Sequence, residues 1–124
     1  MFDYKEYPGM VNDEGYTYKQ ALKSVGKGWR KLIRTAFYFK PASVRIIQVK
    51  EKFGTLTIYI AGSYTKEFDE YYRLINALEV NSCVVCEWCG GYGTLDNRYH
   101  WMLTLCEKCK TIREKTRTRD GWTG

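Results

Sequence analysis

Two Cys-x-x-Cys pairs near the end of the chain constrain its fold more than any other feature. The pairs are Cys86–Cys89 and Cys106–Cys109, and sixteen residues separate them. Each such turn can present two thiolates to one ion, and two turns complete the tetrahedral four-sulfur site of structural zinc. Gly90 follows the first pair, where a tight turn favours a residue without a Cβ. The spacing therefore predicts one structural zinc ion in a C-terminal zinc ribbon, whose short strands lie within residues 93–97 and 99–105.

A fifth cysteine, Cys83, forms a competing Cys-x-x-Cys pair with Cys86. We predict that the later pair binds the metal, because it carries the glycine expected after such a turn. Cys83 follows the apolar end of a predicted helix, so we expect it to fill a small buried gap. The odd number of cysteines and the absence of a signal-peptide pattern favour reduced thiolates over disulfides.

The chain contains a single histidine, His100. One histidine excludes a catalytic zinc site built on two or three histidines, and no nucleophile is spaced to pair with a base. We therefore predict a protein that is not an enzyme and has no small-molecule substrate. His100 itself is interpreted as a partly exposed strand residue beside Trp101.

Before the cysteines, the spacing of apolar residues is first that of a helix, then that of a strand, and then again that of a helix. Apolar residues from Trp29 to Phe37 recur at helical spacing, with Gly26 and Gly28 at the start of the predicted helix and Pro41 at its end. From residue 43 to 62 the period becomes two, which predicts a β-hairpin with residues 50–54 as its turn. A second helix is predicted from about residue 65 to 80, where Asn81-Ser82 ends it.

These elements predict an α+β fold: an αββα body with a β-hairpin, followed by the four-cysteine zinc ribbon and a short basic helix or tail. The body takes residues 1–82, with an acidic, Tyr-rich N-terminal segment, and the ribbon and tail take residues 83–124. Because no flexible linker separates the two parts, we expect them to pack as a single compact unit.

The net charge of +6 favours an acidic partner. Residues 21–42 contain six basic side chains and no acidic one, and the last seventeen residues are also basic. The chain shows no membrane-spanning run, which predicts a soluble, cytoplasmic protein without a membrane partner. The predicted binding residues for a partner protein or nucleic acid are Lys27, Arg30, Lys31, Arg34, Lys108, Lys110, Arg113, Lys115, Arg117 and Arg119.

The order of several motifs resembles a family of small phage and prophage proteins of largely uncharacterised role. The resemblance runs from Gly28 to Cys109, through Lys50-Glu51-Lys52-Phe53-Gly54, Cys86-Glu87-Trp88-Cys89-Gly90, and Trp101 followed by Thr104-Leu105-Cys106. Thr57 stands where the family often has arginine, and Cys109 where relatives can use histidine. The resemblance implies a phage setting and, by analogy, a protein that acts in the host cytoplasm by binding.

Three functions remain open from the sequence. The first is a non-enzymatic phage-type protein that binds and inhibits a host nucleic-acid-handling or defence protein, such as a CRISPR effector or a nuclease. The second is direct binding of DNA or RNA through the basic residues, with Trp88, Tyr92 or Trp101 stacking on bases. The third is a minor virion or assembly component.

Overall fold

The computed structural model describes residues 15–119, so most of the acidic, Tyr-rich N-terminal segment lies outside the described residues. The described chain is α+β and contains two separate two-stranded antiparallel sheets, which confirms the predicted class. The helices and strands are α1 (Tyr18–Ser24), α2 (Arg30–Tyr38), β1 (Val44–Lys52), β2 (Thr55–Gly62), α3 (Lys66–Ser82), β3 (Thr94–Asp96), β4 (Leu103–Leu105) and α4 (Glu107–Arg119). We call residues 15–82 the body and residues 83–119 the ribbon.

Helix α1 precedes the predicted αββα order and was not expected from the sequence. It begins with a capping box, in which the Thr17 hydroxyl accepts a hydrogen bond from the Gln20 N–H at 3.0 Å. The Gln20 side chain in turn accepts from the Thr17 N–H at 2.8 Å. The two bonds satisfy backbone donors that a helix start leaves without partners. The adjacent Tyr16 N–H donates to Ile46 O at 2.6 Å, which ties the helix start to β1.

Helix α2 lies where the apolar spacing predicts it. A 3₁₀ turn, Lys27–Trp29, leads into the helix, and the helix ends at Tyr38, ahead of Pro41. Its apolar stripe faces the core, whereas Arg30, Lys31 and Arg34 are exposed on the other side. The buried residues of the stripe are Trp29, Leu32, Ile33, Ala36 and Phe37.

The hairpin turn is tighter than the sequence predicts. The strands continue to Lys52 and resume at Thr55, and these two residues pair directly across the hairpin. The turn therefore contains only Phe53 and Gly54, so the expectation that residues 50–52 belong to it was wrong. Both turn residues have positive φ, 54° and 83°. This is the left-handed geometry that matches the twist of a two-residue hairpin.

Helix α3 covers the free edge of β2. Its N-cap is Thr65, and the helix includes Asn81 and Ser82, which were expected to end it at about residue 80. The Ser82 hydroxyl accepts from the Leu56 N–H at 2.9 Å, and Glu79 Oε2 accepts from the Ile58 N–H at 2.8 Å. Side chains of α3 thus accept hydrogen bonds from backbone N–H groups that an edge strand would otherwise expose.

One apolar cluster unites the elements of the body. It takes residues from α1, α2, both hairpin strands and α3, and Tyr71 donates a hydrogen bond from α3 to Ala36 O in α2 at 2.5 Å. Of the adjacent tyrosines in α3, Tyr71 is buried and Tyr72 is exposed. Within residues 15–119, no helix combines the length and apolar character needed to cross a membrane.

Candidate metal centre and binding surfaces

The ribbon brings four cysteine sulfurs to one point. The Sγ atoms of Cys86, Cys89, Cys106 and Cys109 all lie within 4.8 Å of one another. Cys89 Sγ and Cys106 Sγ are 3.6 Å apart, too far for a disulfide, whose S–S bond is about 2.05 Å. Sulfurs bound tetrahedrally to zinc at about 2.3 Å would be about 3.8 Å apart. The cluster therefore has a spacing that could hold a metal ion.

Backbone N–H groups point at the sulfurs in both turns. The Cys89 N–H donates to Cys86 Sγ at 3.5 Å, and the Gly91 N–H donates to Cys89 Sγ at 3.4 Å. In the second turn the Cys109 N–H donates to Cys106 Sγ at 3.4 Å. Gly90 has a positive φ of 86°, as the sequence predicts for the turn after the first pair. These donors stabilise negative charge on sulfur, which metal binding requires.

The cysteine sites differ in their acidity. Burial raises the pKa of Cys86, but hydrogen bonds from the Cys106, Cys89 and Trp88 backbone together outweigh burial and lower this pKa to about 7. Burial first, and then the neighbouring cysteines, raise the pKa of Cys109. Four thiolates this close repel one another, so a cation among them would favour the fully deprotonated cluster.

The first cysteine turn contacts the backbone of the body directly. The Gly28 N–H donates to Glu87 O at 2.7 Å. A Cβ built on Gly28 would lie 1.9 Å from Cys86 O, and one on Gly26 would lie 2.2 Å from Glu87 O. The two glycines precede α2 as predicted. Glycine is required at these positions for a second reason, because no side chain fits between the body and the metal-site turn.

Trp29 joins the body core to the ribbon. Its ring is fully buried in the apolar cluster, and its Nε1–H donates to Val85 O at 2.8 Å. The bond satisfies the polar atom of an otherwise apolar side chain. The apolar spacing assigns Trp29 to the core, but nothing in the sequence indicates that the same residue contacts the segment before Cys86.

Glu87 is a buried acidic residue inside the first turn. Its backbone N–H donates to Thr104 O at 2.8 Å, and its Oε2 accepts from the Thr104 N–H at 2.7 Å. Burial raises the pKa of Glu87 to about 8, although the Thr104 bond acts in the opposite direction. Glu87 thus joins the first turn to β4 through both its backbone and its side chain, a role that its position in the motif does not reveal.

A charged network holds the loop between β3 and β4 against α4. Asp96 is buried and accepts from Arg98 at 2.7 Å and from Arg113 at 3.3 Å. Both guanidinium carbons lie 4.9 Å from the centre of the Tyr99 ring. Arg113 is only 1% exposed, so its assignment to a partner-binding surface was wrong. Its guanidinium instead binds Asp96 and the backbone oxygen of Trp101.

Two further expectations in the ribbon are corrected. Cys83 is left out of the sulfur cluster, as predicted, but it is exposed and does not fill a buried gap. Helix α3 extends past the predicted end, which leaves Cys83 at its surface-facing C-cap. His100 is exposed in the loop before β4 rather than in a strand, because pairing starts only at Leu103.

The remaining predicted binding residues come from the segment around α2 and from α4. Lys27, just before α2, and Arg30, Lys31 and Arg34, in the first half of α2, are exposed. The neighbouring Gly28 contacts the first cysteine turn. On α4, Lys108 and Lys115 are exposed, whereas Lys110 is half-buried and donates to Thr94 Oγ1 at 2.5 Å. Arg117 and Arg119 belong to α4.

The basic surface at α2 has unusual electrostatics. Residues 15–50 contain no acidic side chain, and α2 has Arg30 and Lys31 rather than acidic residues in its first turn. The helix dipole is positive there, so these two cations are locally unfavourable and an anionic partner would be favoured. No ion pair among the described residues involves Lys27, Arg30, Lys31 or Arg34.

No family model, curated protein or solved structure matches this chain. The resemblance to small phage proteins therefore stays a prediction from the motifs.

Proposed function

We propose that the protein is a non-enzymatic, zinc-scaffolded binding protein that binds nucleic acid. Four thiolates are a donor set typical of structural zinc and leave no coordination position for a reacting molecule. The metal would fix the ribbon against α2, at the position where the basic side chains are exposed. The ion would act as scaffold, and the partner would bind beside it.

Elemental analysis of the purified protein tests the metal assignment. We expect about one equivalent of zinc per chain. Iron in that amount, with the absorbance of an iron–thiolate centre, would contradict the assignment of zinc but would still support a four-cysteine metal site. The absence of any bound metal after purification under reducing conditions, with zinc supplied, would contradict both.

One observation carries the nucleic-acid assignment: the exposed cations at the start of α2, in a stretch of 36 residues without an acidic side chain. Phosphates favour such surfaces, because binding them releases condensed counterions. Many proteins that handle nucleic acid also present basic surfaces. They would be repelled by this face, so direct DNA or RNA binding agrees better with the charge than inhibition of such a protein does.

Titration of the protein with duplex and single-stranded DNA and RNA at two salt concentrations tests this proposal. We expect binding at low salt that weakens steeply as salt rises. The Arg30→Ala/Lys31→Ala variant should bind less tightly, with a salt slope smaller by about 1.4 on single strands. Lys66→Ala/Arg73→Ala is the matched control, because it removes two exposed cations from α3 and leaves the basic surface intact. Absence of binding to all four nucleic acids at low salt would refute the proposal.

A second candidate is the inhibition of a host nucleic-acid-handling or defence protein, and a different surface favours it. A groove of about 540 Å³ lies between β2 and α3, and its lining includes Asp69, Glu79 and the rings of Tyr59, Tyr64 and Tyr72. Acidic and aromatic side chains suit a basic protein segment. A pull-down from host lysate, repeated with the Tyr64→Ala/Tyr72→Ala variant, tests this candidate. If both forms capture the same nucleic-acid-handling protein equally well, this groove is not its binding site.

A further inference from the structure

A cavity outside the metal centre lies between the hairpin turn and the loop before β4. Its volume is about 330 Å³. The two sides come from segments nearly fifty residues apart in the chain, Glu51 to Phe53 and His100 to Met102. The cavity therefore exists only when the ribbon packs on the body.

Phe53 occupies its turn position against conformational preference. Its φ of 54° lies in the left-handed region, which bulky side chains rarely adopt and which asparagine or glycine favours in this kind of turn. The side chain is 66% exposed, so burial in the core does not compensate for the backbone conformation. Strain of this kind is typical of sites with a binding role.

The turn that carries Phe53 is held rigidly on both sides. The Gly54 N–H donates to Glu51 Oε2 at 2.5 Å, and Gly54 O accepts from the Thr104 hydroxyl at 2.6 Å. A Cβ on Gly54 would lie 2.7 Å from Leu95 Cδ1, so the turn sits directly against the ribbon. These contacts restrain the backbone from which the Phe53 side chain projects.

Trp101 is held in a similar way on the opposite side. Its backbone oxygen accepts from the buried Arg113, whose guanidinium also binds Asp96. The Trp101 side chain is nevertheless 57% exposed. Both aromatic residues thus have a fixed backbone and an exposed ring. The cavity lining also includes the cation of Lys52 and the carboxylate of Glu51, which accepts from the Gly54 N–H.

We propose that Phe53 and Trp101 form an aromatic clamp that stacks on an unpaired base of a single-stranded nucleic acid. Every base offers a π face to such rings, and Lys52 is placed to meet the backbone phosphate of the same strand. Bases within a duplex are already stacked, so the clamp selects single strands. The inference rests on the proposed nucleic-acid binding and names the strand form that the protein prefers.

Fluorescence anisotropy with labelled oligothymidylate, and with an abasic strand of equal length, tests the clamp. The decisive variant is Phe53→Asn, because asparagine suits the left-handed turn and removes only the ring. We expect its thermal stability to equal or exceed that of the parent, while its affinity for oligothymidylate falls about tenfold. Trp101→Ala should give a similar loss. Phe39→Ala is the matched control, because it removes an exposed ring at the end of α2 and should leave affinity unchanged.

The outcomes separate the clamp from the underlying function. Base-dependent binding that is lost in Phe53→Asn and retained in Phe39→Ala supports the clamp. Equal, salt-sensitive binding of both strands, unaffected by Phe53→Asn, overturns the clamp and leaves the phosphate-binding function in place. Absence of binding to either strand at low salt, with duplex still bound, overturns the single-strand preference. Absence of binding to every nucleic acid overturns the proposed function as well.

Discussion

The body and the ribbon are stabilised by different interactions. Fifteen buried apolar residues form one cluster in the body, whereas the buried cluster of the ribbon contains Leu105 and two of the cysteines. Apolar burial on that scale cannot offset the conformational entropy of ordering the 37 residues of the ribbon. The ribbon must therefore depend on the metal site, on its charged network and on its contact with the body.

The interactions between the body and the ribbon also differ from those within each part. The contact includes close backbone approach and three polar bonds: the Gly28 N–H to Glu87, the Trp29 indole to Val85 and the Thr104 hydroxyl to Gly54. Bonds of this kind require accurate positioning and tolerate little displacement. The difference predicts that the body can fold without the ribbon, while the ribbon needs both its metal and the body.

The largest effect should follow from removing one metal ligand. We expect Cys106→Ser to lose the metal and to unfold the ribbon, since structural zinc contributes on the order of 10 kcal/mol in small modules. Hydrogen exchange should become fast in β3 and β4 and stay slow in β1, β2 and α3. Elemental analysis and residue-resolved exchange by NMR measure the two effects.

Cys83→Ser is the matched control for this experiment, because Cys83 lies outside the sulfur cluster. It should keep the full metal content and the exchange pattern of the parent. Slow exchange in β3 and β4 of a metal-free Cys106→Ser protein would show that the ribbon does not need the ion.

The next effect should come from the backbone contact between the two parts. Gly28→Ala would place a Cβ at 1.9 Å from Cys86 O, so the backbones must separate. We expect a loss of about 3 kcal/mol or more in the free energy of unfolding. Denaturant unfolding of the zinc-loaded protein measures it. Gly91→Ala adds the same methyl group where the nearest heavy atom is 3.5 Å away, and should cost much less. Equal losses would contradict the close approach at Gly28.

The charged network should have a smaller effect that is confined to the ribbon. Asp96→Asn removes the negative charge shared by Arg98 and the buried Arg113. We expect a loss of about 2 kcal/mol, with faster hydrogen exchange in the β3–β4 loop and α4. Glu114→Gln removes the exposed partner of Arg98 and should change stability by less than about 1 kcal/mol. If the two variants behave alike, the network does not stabilise the ribbon.

The same comparison explains which features the sequence could predict. Periodic spacing from Trp29 to Phe37 and paired cysteines are local patterns, so α2, the hairpin and the sulfur cluster were predictable. Burial of Arg113 and Glu87 depends on partners far along the chain, Asp96 and Thr104, which no local pattern indicates. Helix α1 was predictable in principle, because Thr17 and Gln20 have the spacing of a capping box.

The smallest effect should follow from a change in that capping box. The change lies entirely in the body, so it tests whether the stability of the body affects the ribbon. Thr17→Ala removes the hydroxyl that accepts from the Gln20 N–H, so we expect a loss of about 1 kcal/mol in the free energy of unfolding. Thr17→Ser retains the hydroxyl and should restore most of this stability. Metal content should be equal in both variants, since the hydrogen bonds of the capping box lie within the start of α1 and involve no residue of the ribbon. A loss of metal in Thr17→Ala alone would show that the body and the ribbon fold as one cooperative unit, and that the ion stabilises both.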